Sequence, residues 1–132
     1  MRRIVCLLIV VMAPLAAQDW APVHIEAINS YPSLAWLSRS TGNVVVNCLI
    51  NDDGSVAKAK AISGAALLRE VSEKNASRWK FRRVSGTRNS ITLTYHYAIT
   101  EGAPKERPEV ACTVDLPGDI YISTPPSVPM ID

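Results

Sequence analysis

Apolar and polar residues alternate with period two in some stretches of the chain and recur near period 3.6 in others, and their order predicts the elements. Asn43 to Ile50 puts Val44, Val46, Cys48 and Ile50 on one face and Asn43, Val45, Asn47 and Leu49 on the other, the pattern of a half-buried strand. Asn51-Asp52-Asp53-Gly54 is a tight turn in which Gly54 supplies the positive φ, and Ser55 to Ile62 returns as a second strand of the same hairpin. Ser63-Gly64 ends it. Ala65 to Lys80 sets Leu68, Val71, Asn75, Ala76 and Trp79 at helical spacing, with Arg69, Glu70, Glu73, Lys74 and Arg78 on the remaining surface. That predicts the principal helix, its end anchored by Trp79 and Phe81. After a loop over Arg82 to Asn89, Ser90 to Thr100 alternates again, with Ile91, Leu93, Tyr95, Tyr97 and Ile99 opposed to Thr92, Thr94, His96 and Ala98: a third strand. Ahead of the hairpin, Pro32 opens a short helix over Ser33 to Arg39, and Gln18 to Ser30 has no clear period.

The two ends of the chain read differently. Arg2-Arg3, the apolar run Ile4 to Val11 and the small residues Ala13 to Ala17 form a secretory leader (residues 1–17), cut near Ala17 and too short for the roughly 20 residues of a spanning helix. A soluble, exported protein is expected. Residues 18–103 form the domain. Residues 104–132 are an acidic, Pro-rich tail, because six of the nine prolines lie between Pro104 and Pro129. Within it Glu109 to Val114 alternates as a short strand, and Ile120-Tyr121-Ile122 is a weaker second candidate.

Charge adds a polarity to this picture. Tyr31 to Thr100 carries ten Lys or Arg against four Asp or Glu, while Glu101 to Asp132 carries two against six. A basic body therefore attracts an acidic tail. The one basic cluster, Arg78 to Arg83, is too small a footprint for nucleic acid and reads as a solvated helix end.

Candidate chemistry is sparse. Cys48 and Cys112 remain after the leader, with no C-x-x-C pair and only His24 and His96 elsewhere, so no metal site is expected and no cofactor is implied. His96 lies mid-strand between Thr94 and Ala98, which offer no carboxylate to orient it, and reads as a cross-strand surface residue instead of a general base. Asp52-Asp53-Gly54 lacks the further oxygen ligands of a calcium loop. No G-x-S-x-G elbow or glycine-rich phosphate loop is present, and no enzyme activity is expected.

Tyr31-Pro32, Gly42 with Val44 and Val46, Ile50 followed by Asn51-Asp52-Asp53-Gly54-Ser55-Val56, Arg78-Trp79-Lys80-Phe81 and the strand Ser90 to Ile99, in that order over about seventy residues, resemble the TonB C-terminal domain family. The resemblance implies an α+β fold, a three-stranded antiparallel sheet with two helices on one face, to which the tail can add a fourth strand. It also implies a non-catalytic periplasmic module of an energy transducer that grips a receptor's extended peptide. Transducing members carry an uncleaved inner-membrane anchor and a long Pro-rich linker, neither of which is read here. The Trp-x-aromatic segment is followed by Arg82-Arg83-Val84, where the family often has proline.

An open sheet edge can accept an extended peptide through its unpaired N–H and C=O groups. The last strand, Ser90, Ile91, Thr92, Leu93, Thr94, Tyr95, His96 and Tyr97, is the expected site, and the partner an extended peptide of an outer-membrane or envelope protein. The alternative is an envelope assembly subunit that oligomerises through its sheet edge, as a homodimer for example. A third expectation concerns the tail. The tail is expected to occupy the edge itself: with Glu109 to Val114 paired beside Ser90 to Ile99, Cys112 stands two strand spacings from Cys48, roughly 9–10 Å, beyond the about 7 Å that a disulfide spans between Cα atoms, so edge pairing and the alternative, a Cys48–Cys112 bridge, exclude each other.

Overall fold

The computed structural model describes residues 19–116 and 118–128, so the expected leader lies outside the described residues. Nine elements follow in order: β1 (Trp20–His24), α1 (Ser33–Leu37), β2 (Gly42–Ile50), β3 (Val56–Ser63), α2 (Ala66–Ser77), β4 (Lys80–Arg83), β5 (Ser90–Ile99), β6 (Ala111–Asp115) and β7 (Asp119–Thr124). The fold is α+β as expected, but the sheet has five strands, ordered β3-β2-β5-β7-β6, and β1 and β4 form a separate two-stranded sheet. The expected three-stranded antiparallel sheet is the β3-β2-β5 half of it. The tail contributes two strands, not one.

The alternation in β2 and β5 decides which face is buried. Val44, Val46 and Cys48 from β2 and Leu93 and Tyr95 from β5 are fully buried, and Asn43, Asn47, Leu49 and Thr92 are exposed. Helix α2 packs over β2 and β3 with Leu68 and Ala76 sealed beneath it, and α1 touches α2. Tyr31, just before α1, meets the Tyr97 ring edge-on at 5.7 Å.

The expected helix over Ala65 to Lys80 stops at Ser77, because the chain turns so that Lys80–Arg83 pairs antiparallel with Trp20–His24. Trp79 and Phe81 are buried, with rings 5.9 Å apart and near parallel, so the aromatic pair anchors a strand as much as a helix end. Gly54 ties the two sheets together. Its carbonyl accepts from the Phe81 N–H at 2.8 Å, its φ is +91°, and a Cβ there would lie 1.9 Å from the Phe81 oxygen. Positive φ and backbone clearance thus both require glycine.

The outer edge of β3 is capped at one point from below: Glu73 on α2 accepts from the Ala61 N–H at 2.7 Å, and the register with β2 shifts at both ends. Such capping and irregularity are ways of keeping an edge from pairing with another chain. At the far side β6 pairs only with β7 among the described residues.

Candidate functional site

Strand β5 is held rigidly from its inner face. Tyr95 donates its hydroxyl proton to Asn75 Oδ1 at 2.7 Å, Trp79 Nε1 donates to the same oxygen at 3.0 Å, and Asn75 Nδ2 donates to the Glu26 carbonyl at 2.8 Å. Two residues on, the Tyr97 hydroxyl shares a 2.7 Å bond with Ser72 Oγ, which also donates to the Leu68 carbonyl. Burial raises both phenols above their ordinary pKa, so they remain protonated hydrogen-bonding groups. A buried network with every member satisfied fixes the strand's register against α2.

The eight residues expected to bind a partner, Ser90 to Tyr97, lie together on β5. On one side all eight pair antiparallel with β2, from Ser90 opposite Leu49 to Tyr97 opposite Gly42. On the other side β7 runs parallel to β5, matching Thr94 with Asp119 and continuing to Ile99 with Thr124. The Thr94 N–H donates to the Gly118 carbonyl and the Thr100 N–H to the Thr124 carbonyl, each at 2.8 Å. Thr94, Tyr95, His96 and Tyr97 are therefore flanked by strands on both sides, whereas Ser90 to Leu93 have no strand on this second side among the described residues. The strand beside β5 is the weaker candidate of the tail, not Glu109 to Val114, whose counterpart β6 pairs antiparallel with β7 one position further out.

Cys48 and Cys112 are both free. Three strand spacings separate their strands, roughly 14 Å and twice the reach of a disulfide.

Ile120 and Ile122 of β7 are 0% and 1% exposed and join the core beside Tyr95 and Tyr97. Burying each contributes about 1.5–3 kcal/mol. On the outer face His96 bridges three strands: Nδ1 lies 2.9 Å from Asn43 Oδ1 on β2, Nε2 lies 2.9 Å from Asp119 Oδ1 on β7, and its ring stacks on Tyr121 at 4.4 Å. The cross-strand reading of His96 stands, but a carboxylate does face it. That carboxylate comes from a strand 23 residues away, and no local spacing announces it. Trp36 adds a last tie by donating Nε1 to the Pro125 carbonyl at 2.7 Å.

Beside β5 the tail strand is thus held by main-chain pairing over Thr94 to Ile99, by Ile120 and Ile122 on the apolar inner face and by His96 on the polar outer face. Among the described residues no helix is long and apolar enough to cross a membrane.

Residues 28–100, more than half of the 132, match the family model described as the Gram-negative bacterial TonB protein C-terminal. A search of the curated proteins finds no match. The matched stretch runs from the residues before α1 to the end of β5 and leaves β6 and β7 outside it.

Proposed function

The chain belongs to the TonB C-terminal family of receptor-interacting, non-catalytic domains, and from that premise we propose that it is a periplasmic module that holds an extended segment of an outer-membrane or envelope protein. The segment adds as a strand along β5 at Ser90 to Tyr97, where Ser90 to Leu93 have no second flanking strand among the described residues and Thr94 to Tyr97 are reached by replacing β7. One observation carries this reading: β5 accepts a parallel, extended strand over Thr94 to Ile99, and the strand that does so lies outside the family-matched residues. Strand addition of this kind takes its affinity from main-chain hydrogen bonds and its selectivity from alternate side chains.

Site-specific photo-crosslinking in Gram-negative cells tests it, with the reactive group placed in turn at Thr92 on β5, Lys58 on β3 and Thr113 on β6. Adducts to one outer-membrane protein, formed from Thr92 and through an extended segment of that protein, are expected. A second reading, assembly through the sheet edge, is favoured by the unpaired outer side of β6 among the described residues. Adducts between copies of this chain from Thr113, with none from Thr92, would replace the first reading by the second.

A further inference from the structure

We infer that the β6–β7 hairpin is a built-in competitor for the β5 edge, so that the chain holds its own strand where a partner strand pairs; this deepens the docking role proposed for β5 and rests on it. β7 has the attributes of a ligand strand. It is extended, parallel to β5 and inserts Ile120 and Ile122 into the core at alternate positions. It is also clasped from outside through Asp119 and Tyr121 against His96.

Its attachment differs from that of its neighbours in the five-stranded sheet. β2, β3, β5 and α2 all fall within the matched residues 28–100, whereas the hairpin follows them across the connection 100–110. Its fit is imperfect as well. Thr124 is 1% exposed, and its Oγ1 is the one buried side-chain polar atom among the described residues with no hydrogen-bond partner. A buried hydroxyl left unsatisfied weakens the strand that carries it.

A short tether holds such a strand at an effective concentration of about millimolar. A free strand making the same contacts therefore loses to it at ordinary concentrations, and a partner succeeds only by better contacts or by being presented at close range. The self-strand sets the threshold for what is admitted.

The test uses the full chain and a fluorescent peptide with the sequence of residues 118–126, read by anisotropy. The unmodified protein should bind this peptide weakly. Ile122→Asn, which places an amide in the apolar socket, should bind it at least tenfold more tightly, with loss of amide-exchange protection confined to the hairpin and Thr94 to Ile99. Thr124→Val, which removes the orphan hydroxyl and keeps the shape, should bind it more weakly than the unmodified protein. Equal affinity in all three would overturn the inference, since the peptide would then be adding elsewhere. So would failure of Ile122→Asn to bind although its hairpin exchanges freely. Collapse of the whole fold in Ile122→Asn, with no loss of peptide binding in Thr124→Val, would also overturn it by making β7 an inseparable part of the core. Because the probe is the chain's own strand, these outcomes do not depend on whether an envelope protein is the natural occupant, which the crosslinking decides separately.

Discussion

Strand β5 has two flanks, and they are built on different terms. Toward β2 it pairs antiparallel over eight residues with a strand of the same matched unit, and beneath that flank α2 anchors it through Asn75 and Ser72. Toward β7 it pairs parallel over six residues with a strand from beyond the matched unit, held by two isoleucines, one histidine clasp and one tryptophan bond. The first flank carries the fold. The second completes a surface that the fold leaves open.

Substitutions should separate the two. Trp79→Ala removes a fully buried indole from the α2 side and should cost about 3–5 kcal/mol, enough to leave a domain of this size barely folded. Denaturant unfolding measures it, and a change under 1 kcal/mol would mean that α2 is not what fixes β5. Asn75→Ala leaves the Tyr95 hydroxyl and the Trp79 N–H without their shared acceptor. Its cost should be about 2–4 kcal/mol, again global, at about 1–2 kcal/mol for each stranded donor. Ile120→Ala empties a socket on the other flank and should cost about 2 kcal/mol. That loss should appear as faster amide exchange in β6 and β7 while Val44 to Cys48 stay protected; uniform loss of protection would merge the two flanks into one cooperative unit. His96→Ala should cost only about 0.5–1 kcal/mol, because His96 and Asp119 are both partly solvated. Its effect should be restricted to the hairpin, and an effect larger than that of Ile120→Ala would make the clasp, not the sockets, the main hold on β7.

The first flank was legible in the sequence; of the second, the tail's place beside β5 was legible and the strand that takes it was not. Val44-Val46-Cys48-Ile50 and Leu93-Tyr95-Tyr97 announce their strands because one buried face imposes a strict period of two, and Gly54 marks the turn between β2 and β3. β1 escaped because Pro22 and a single buried residue, Trp20, leave no period to read. β4 escaped because Trp79 and Phe81 suit a helix end as well as a strand. For the tail, Ile120-Tyr121-Ile122 is too short to state a register, and which strand lies beside β5 depends on contacts with residues 20 to 30 positions away. The eight residues of the candidate site were located by alternation together with family resemblance. Which tail strand occupies half their edge, and in which register, is a long-range pairing that local spacing does not encode.

The unpaired cysteines give the chain two internal clocks. Cys48 is fully buried on β2, and burial pushes its thiol up to about 12, so a thiol reagent reaches it in reactive form only when the body unfolds. Cys112 sits half-buried on β6, at the edge of the hairpin. Under native conditions the labelling rate at Cys112 should follow the opening of the hairpin and the rate at Cys48 the opening of the whole domain, with the ratio of the two set by how independently the flanks of β5 come apart. A single mass-spectrometric time course on the unmodified protein reads both rates without any substitution, and equal rates would mean that the sheet opens only as one piece.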